Sequence, residues 1–409
     1  MRADEIAQRT GDRVDVSRPK GRAGDAPLIV MVHPLGGMRG PARTLIDLAG
    51  YLAGRWDVLV AVPEGFVSGT VRETMGEANV LPIPLSSSRA VSWARGSRAL
   101  LAALRQQRRP VLIHANGLSA LNLVAPAAEV LRAPVFVHFH AYEIMFRSRL
   151  VLGAWNRLRV RMSFFPVSDF SRGLLEGTAI KPLVRGVVPN PVTLDTFRTS
   201  RDGPRHPFRV GFVGSKSPRK GLHVLVEVAR LLRDEDVEWH IYGIDLPGDQ
   251  DHYVDECIRR TRDLGIQDRI RWHGKVSDVS QAYANVDALL IPSSQESFCR
   301  VALEGMASGL PVVASRIAGL SEIVWEDHSG LLFDHLHAEE AAEHLRRIVH
   351  DDDFRARLTE GGVRASSRFD LPVIGRRLEF FYRELLEDGI GAEPESPRDE
   401  PVRDSGASR

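Results

Sequence analysis

The chain has few of the features that mark disulfide-rich, zinc-binding or membrane-spanning proteins. Its 409 residues include only two cysteines, Cys257 and Cys299. They have neither the spacing nor the neighbouring histidines of a zinc site, so both are predicted to be free thiols. No run approaches the ~20 apolar residues of a membrane-spanning helix. The polar first residues contain no apolar stretch of the kind found in secretory signals, and we therefore expect a cytoplasmic protein.

An excess of charge of either sign is also lacking. The sequence has 54 Lys and Arg against 53 Asp and Glu, for a formal net charge of +1. This balance argues against a general affinity for nucleic acid. With 43% hydrophobic residues over 409 positions, the chain is longer than one hydrophobic core usually grows, and two domains are expected.

From residue 28 onward, short β-branched runs alternate with longer helical patterns, which is typical of parallel sheets covered by helices. In the first half the predicted strands are Leu28–Val32, Val58–Val62, Val111–His114, Val135–His140, Phe164–Ser168 and Val187–Pro189. In the second half they are Phe208–Val213, Trp239–Tyr242, Ile270–Trp272, Ala288–Ile291, Pro311–Ala314 and Leu331–Phe333. The pattern predicts an α/β protein of two doubly wound, Rossmann-like units, with ligands at the carboxyl ends of the strands.

A proline-rich segment beginning at Asn190 separates the two halves and is the predicted linker. The predicted domains are therefore 26–200 and 201–370. An amphipathic helix over 371–390 has a wide apolar face, and we expect it to pack on one domain or to bridge both. The terminal segments 1–25 and 391–409 are charged, with little to bury, and are predicted to be disordered.

The strongest functional signal is an E-x7-E pattern. Glu296 directly follows a predicted buried strand, and Glu304 lies in the next helix. Near the carboxyl edge of a parallel sheet, such carboxylates suit sugar hydroxyls. The first turn of that helix, near Phe298, Cys299 and Arg300, has unpaired N–H groups that suit a diphosphate. Two glutamates at this spacing are also common as ordinary surface charge.

The stretch from Glu296 to Pro311 resembles the nucleotide-sugar site of family 4 retaining glycosyltransferases, which have the GT-B fold. The resemblance implies that Glu304 binds the ribose and that Glu296 holds hydroxyls of the transferred sugar. It also implies that backbone amides near Phe298 and Cys299 contact sugar and phosphate. Many relatives have glycine at the position of Cys299, where glycine allows the backbone to approach the ligand closely. The alternative is that Cys299 is an ordinary buried cysteine.

The segment after the strand that contains Gly211 resembles the phosphate-binding loop of the same family. Lys220 matches the lysine that clamps the diphosphate and stabilises charge on the leaving group. Ser215 stands where the usual arginine would follow Gly214. The candidates for the missing positive charge are Lys216, Arg219 and Arg300.

Three further resemblances complete the predicted site. Gly36 and Gly37 resemble the family's glycine loop, although a glycine pair alone more often marks a turn. His140 corresponds to a histidine near the reacting sugar, with His138 on the same strand face as the alternative. Gly274 would lie by the nucleotide base. Glu322 stands where relatives also have a glutamate, with a cap of the helix that follows it as the alternative, and it is left out of the site.

Together these patterns predict a retaining glycosyltransferase that uses a UDP- or GDP-linked sugar. Glu296, His140 and Lys220 would be catalytic, and no bound cofactor or metal is expected. The acceptor would be a sugar, a lipid-linked molecule or a small metabolite. The alternatives are an epimerase or phosphorylase on the same fold, or a non-catalytic nucleotide-sugar-binding subunit.

Two basic segments of the first half interleave arginine with apolar residues. In one of them Trp155, Leu158 and Met162 lie at helical spacing, which predicts either peripheral contact with an anionic membrane or a domain helix with its arginines in solvent.

Overall fold

The computed structural model describes residues 26–35, 40–84, 89–107, 109–140, 160–176, 178, 183–198, 203–243, 251–276 and 278–391. Of the termini predicted to be disordered, only Gly391 lies among these residues, and it ends the last helix. The glycine loop containing Gly36 and Gly37, and the membrane-contact candidates Trp155 and Leu158, lie outside them.

The first half of the chain forms a six-stranded parallel sheet in the order β3-β2-β1-β4-β5-β6. Its strands are β1 (Leu28–Val32), β2 (Asp57–Val62), β3 (Val80–Pro82), β4 (Val111–Asn116), β5 (Val135–Phe139) and β6 (Met162–Pro166). The described helices of this half are α1 (Gly40–Leu52), α2 (Phe66–Met75), α3 (Arg89–Leu104), α4 (Leu118–Leu131), α5 (Asp169–Gly173) and α6 (Leu194–Phe197). All five residues of β1 are buried, because helices cover both faces of the sheet.

The second half repeats this topology with a sheet in the order β12-β11-β10-β7-β8-β9. Its strands are β7 (Phe208–Val213), β8 (Val237–Tyr242), β9 (Ile270–Gly274), β10 (Ala288–Ile291), β11 (Val312–Ser315) and β12 (Leu331–Phe333). Its described helices are α7 (Leu222–Leu231), α8 (Asp251–Asp263), α9 (Val279–Ala284), α10 (Arg300–Ala307), α11 (Ala318–Ser321), α12 (Ala338–His350) and α13 (Asp352–Ser366). The predicted α/β class of two doubly wound units is confirmed.

The strand order reverses between β1 and β4 in the first sheet and between β7 and β10 in the second. At each reversal the connecting helices pass to opposite faces, which leaves a crevice beyond the carboxyl ends of the strands. The residues that follow β1, β4, β7 and β10 are therefore placed at the two crevices.

One predicted strand does not form, and one short strand was not predicted. Val187–Pro189 is not a strand, because this extended segment makes a single backbone bond with β6, from Val188 N to Pro166 O, and Pro189 cannot donate another. The edge strand β3 was missed because it has only three residues and ends in proline.

Met162 does not continue a helix. It begins β6 and is buried in the first sheet, so it is not available for membrane contact. Among the described residues, no helix is both long and apolar enough to span a membrane.

The last helix, α14 (Leu371–Gly391), returns to the first sheet after the second unit is complete. Its apolar positions Leu378, Phe381 and Tyr382 are buried in the core that α14 shares with β1 and α1. The approach is close: a Cβ at Gly186 would lie 2.5 Å from the Phe381 ring. Helix α14 thus packs on the first unit, one of the two arrangements that its apolar face predicted.

Candidate functional site

The two units meet at the loop between β10 and α10. Ser297 in this loop donates its hydroxyl to the backbone oxygen of His140, 2.9 Å away. Ser168, at the start of α5, donates to the backbone oxygen of Ser297 at 2.6 Å. His140 therefore contacts the residue next to Glu296, although His140 and Glu296 are more than 150 positions apart in the sequence.

Lys220 and Glu296 form a shielded ion pair at this junction. Lys220 ends a single 3₁₀ turn after β7, and its Nζ donates to Glu296 Oε1 at 2.5 Å. The side chains are 17% and 8% exposed. Gly221 permits the arrangement, because it adopts φ 75° and a Cβ there would lie 1.8 Å from the backbone oxygen of Pro292. Two residues predicted to be catalytic are thus in contact.

Two other basic residues of the β7 loop have separate surroundings. Arg219 donates to the backbone oxygen of Gln295 at 2.8 Å and lies 3.8 Å from Glu296 Oε2. Lys216 is buried, with its Nζ 5.8 Å from the centroid of the Trp272 ring on β9. Arg219 therefore adds positive charge beside Glu296.

Arg300 joins the two units through a buried ion network. Its guanidinium donates to Asp47 of α1 at 3.0 Å and to Glu304 at 3.2 Å. It also reaches the backbone oxygen of Pro191 at 2.9 Å and the hydroxyl of Thr44 at 3.3 Å. Arg300 is one of three candidates for the positive charge expected near the phosphate, and its guanidinium faces two carboxylates.

Glu304 is held from both sides. Its Oε2 accepts a 2.8 Å hydrogen bond from the Tyr283 hydroxyl, and its Oε1 accepts from Arg300. Burial beside Glu304 raises the pKa of Tyr283 well above its usual range, so Tyr283 remains a donor at all ordinary pH values. The carboxylate predicted to bind ribose therefore has a fixed orientation in the middle of α10.

The first turn of α10 begins after two buried side chains. Cys299 is the N-cap residue and is buried, and burial raises the pKa of its thiol to about 12. The thiol is accordingly neutral at physiological pH. Phe298 is also buried and meets the Phe369 ring edge-on at 5.7 Å. Both side chains belong to the packing that holds this turn.

Gly274 ends β9 at φ 67°, and its backbone oxygen accepts from Gly243 N at 2.7 Å. A Cβ at Gly274 would meet no atom within 4 Å, so the position opens onto free space. The neighbouring His273 stacks on Tyr242 with ring centroids 4.2 Å apart. The predicted base position thus lies next to an aromatic pair.

The two candidate histidines of β5 occupy different environments. The strand ends at Phe139, and His138 is fully buried with its Nε2 donating to the backbone oxygen of Val188 at 2.8 Å. His140 lies just beyond the strand end, where its Nε2 meets Asn116 Oδ1 at 2.7 Å. His140 is therefore at the junction of the units, and His138 is inside the first sheet.

We expect the buried histidines to make stability depend on pH. Burial lowers the pKa of both His33 and His138 from 6.5 to about 4. Between these pH values the unfolded chain binds a proton at each histidine and the folded chain does not, so stability falls as pH drops from 6.5 to 4. Each group contributes on the order of 3 kcal/mol to this fall.

Chemical denaturation at pH 7 and pH 4.5 measures the effect. His138→Gln keeps a donor for Val188 and should lose less stability between the two pH values than the wild type. The exposed His328 provides the control, since His328→Gln should leave the pH dependence unchanged. Equal slopes for wild type and His138→Gln would contradict the assignment.

Glu322 does not cap the helix that follows it. Its carboxylate accepts from the backbone N–H groups of Asp169 at 2.8 Å and Phe170 at 2.5 Å, in the first turn of α5. Burial raises the pKa of Glu322. It therefore caps a helix of the other unit, a partner that lies 153 positions away and could not be inferred from local sequence.

Among the described residues, no group of three or more His, Cys, Asp or Glu is arranged to hold a metal ion.

Residues 195–364 match the sequence profile of the family described as "Glycosyl transferases group 1". The match covers less than half of the chain, and most of it lies in the second unit. The matched region contains the site residues Lys216, Lys220, Gly274, Glu296, Phe298, Cys299, Arg300 and Glu304. His140 and Asp47 lie on the first unit, before the matched region.

The curated relatives that match the chain include proteins named as glycosyltransferases. D-inositol 3-phosphate glycosyltransferase of Corynebacterium glutamicum is 32% identical over 187 residues, which cover 45% of this chain and 45% of the relative. The enzyme of the same name from Corynebacterium jeikeium is 30% identical over 232 residues, covering 53% of this chain and 55% of the relative. The chain therefore spans about half the length of the curated relatives it matches.

Solved structures show that the fold is GT-B. HepE of Anabaena, crystallised with UDP and glucose, superimposes with a TM-score of 0.75 at 24% identity, covering 87% of this chain and 99% of HepE. Sucrose-phosphate synthase of Thermosynechococcus elongatus gives 0.71 at 17% identity, covering 88% and 99%. Both likenesses extend over the two units, which face one another across a cleft.

Proposed function

We propose that the protein is a family 4 retaining glycosyltransferase that moves a sugar from a UDP- or GDP-linked donor to an acceptor hydroxyl. The observation that carries this proposal is the Lys220–Glu296 ion pair in the loops after β7 and β10, next to Ser297, whose hydroxyl donates to the backbone oxygen of His140. A cation and a carboxylate at the meeting point of two strand-end crevices suit a phosphate and a sugar.

In this proposal the diphosphate competes with Glu296 for the Lys220 ammonium. A diphosphate carries more negative charge than one carboxylate, so donor binding would draw Nζ from Glu296 and free that carboxylate for sugar hydroxyls. Glu304, oriented by Tyr283 and Arg300, would accept from the ribose hydroxyls. The N–H groups in the first turn of α10 would add donors to the phosphates.

The chemical step would break the bond between the anomeric carbon and the phosphate oxygen and form a bond from that carbon to the acceptor oxygen on the same face. The departing phosphate oxygen would take the acceptor's proton. Lys220 would stabilise the charge that develops on the leaving group, and the protein's contribution would be positioning and preorganised charge. Retention of the anomeric configuration follows from attack on the departing face.

UDP-glucose is the first donor to test, because HepE was crystallised with it. Inositol phosphates are the first acceptors to test, because curated relatives are named for D-inositol 3-phosphate. We therefore propose to test UDP-glucose and then other UDP and GDP sugars, with inositol phosphates and lipid-linked sugars as acceptors. Proton NMR of the product would test retention, which requires that the new glycosidic bond have the same anomeric configuration as the donor.

One observation favours a second candidate, a non-catalytic nucleotide-sugar-binding subunit. Ser215 replaces the expected arginine, and Arg300, a candidate to replace its charge, is engaged with Asp47 and Glu304. Tight donor binding without turnover over a broad acceptor panel would favour this candidate over the enzyme.

Calorimetric titration of UDP and GDP tests the donor site directly. We expect one nucleotide to bind the wild type and Glu304→Gln to bind it at least about tenfold more weakly, because an amide donates where ribose hydroxyls need an acceptor. Glutamine keeps the size of the side chain, which limits disturbance around Arg300.

Tyr283→Phe is the matched control, since it removes one bond to Glu304 but leaves the carboxylate. It should retain nucleotide binding within about threefold. Binding of neither nucleotide by the wild type, or equal binding by wild type and Glu304→Gln, would overturn the site assignment.

A further inference from the structure

Asn116 occupies the carboxyl end of β4, between the two histidines that follow β1 and β5. It is buried, and its Nδ2 donates to the backbone oxygen of Pro41 at 2.9 Å. A flipped amide would place two oxygens against each other there, so the Pro41 carbonyl determines the amide orientation. The side-chain oxygen of Asn116 consequently faces His140.

This orientation determines which ring nitrogen of His140 carries the proton. Asn116 Oδ1 can only accept, so His140 Nε2, 2.7 Å away, must be protonated. Burial lowers the pKa of His140 well below 6.5, so this ring is neutral at pH 7. His140 Nδ1 is then an acceptor.

His140 Nδ1 and His33 Nε2 have no hydrogen-bond partner among the described residues, and both are enclosed. His114 Nε2 and His138 Nδ1 are also unpaired, but these residues lie inside β4 and β5, whereas His33 and His140 follow the ends of β1 and β5. A buried unpaired nitrogen at a ligand-binding edge indicates a partner that arrives with the ligand. The backbone oxygen of His140 also contacts Ser297, next to Glu296.

We propose that Asn116 is a positioning residue that holds His140 in its Nε2–H tautomer, so that the Nδ1 lone pair accepts a hydrogen bond from a hydroxyl of the bound sugar. This inference rests on the proposed function for the identity of the ligand, but not for the tautomer.

The tautomer can be measured without any turnover. Protonated and unprotonated imidazole nitrogens have well-separated ¹⁵N shifts, so histidine-labelled full-length protein reports each ring at pH 7. The ¹⁵N signals of each ring are assigned by their loss from the spectra of His140→Gln and His33→Gln. We expect His140 as the Nε2–H form in the wild type, and a mixture of both tautomers in Asn116→Ala. Saturating UDP-glucose should shift the Nδ1 resonance of His140 in the wild type.

The kinetic consequence should separate positioning from simple loss of stability. Asn116→Ala is expected to lower kcat about 10- to 100-fold and to change the KM for the donor by less than about threefold, because His140 loses its orientation while Lys220 and Glu304 remain. Asn79→Ala is the matched control. It also removes an amide-to-carbonyl bond, from Nδ2 to Val58 O at 2.8 Å, but at the opposite end of the sheet. It should leave kcat and the His140 spectrum unchanged.

An Nδ1–H tautomer in the wild type, or an unchanged His140 spectrum in Asn116→Ala, would overturn the role of Asn116. A wild type that shows the Nε2–H form and binds UDP-glucose without a shift at His140 would overturn the hydroxyl contact. Lack of turnover with every donor and acceptor would instead count against the proposed function, since the imidazole spectra decide the role of Asn116 in either case.

Discussion

Lys220→Ala is expected to slow sugar transfer about 10³-fold while leaving the protein folded, which is the largest effect on activity that the site predicts. The reason is electrostatic. Lys220 is the shielded cation that contacts Glu296 at 2.5 Å, so it would meet the leaving diphosphate as a preorganised charge. Steady-state transfer from the preferred donor, with thermal melting as the check on folding, measures the effect.

Two further variants make this test specific. Lys220→Arg keeps the charge and should recover part of the rate, although its wider planar head fits a site built for an ammonium less well. Arg233→Ala removes an exposed charge from the same unit and should change the rate by less than about twofold. Transfer by Lys220→Ala at a wild-type rate would remove Lys220 from the mechanism.

Arg300→Leu is expected to produce the largest loss of stability, about 3–5 kcal/mol. The substitution would leave the carboxylate of Glu304 buried without its cation, and it would leave Asp47 with the half-exposed Arg43 of its own helix as its cation. Both carboxylates are about nine-tenths shielded from solvent. A buried charge that loses its partner is far more costly than an exposed one, because water cannot replace the missing interaction. Denaturant midpoints, followed by separate signals for the two units, report the loss.

The structure offers graded controls for Arg300. Asp47→Asn removes the ion pair between the units but leaves Arg300 paired with Glu304 and bonded to Thr44, so a smaller loss of about 1–2 kcal/mol is expected. Arg316→Leu breaks an ion pair with Glu326 whose side chains are 50% and 35% exposed, and it should cost less than about 1 kcal/mol. If Arg300→Leu were no worse than Arg316→Leu, the buried network would not contribute to joining the units.

The sequence by itself determined the class of fold and most of the strands. Strands such as Leu28–Val32 and Ala288–Ile291 were predicted with the bounds that the structure shows, because continuous apolar runs between turn residues are a local property of the chain. The short edge strand Val80–Pro82 carries no such run and was missed. Motif resemblance likewise located Glu296, Glu304 and Lys220, since a strand, its loop and the next helix are encoded contiguously.

Only the tertiary structure decided which distant side chains meet. The bridge from Arg300 to Asp47, the cap of α5 by Glu322, and the placement of Asn116 between His33 and His140 all join residues that are far apart in the chain. None of them has a local signature, because an ion pair or a hydrogen bond between units depends on how two complete sheets are placed against each other. Arg300 illustrates the difference between local and tertiary information. Local sequence places it at a helix start suited to phosphate, whereas in the tertiary structure its guanidinium contacts two carboxylates.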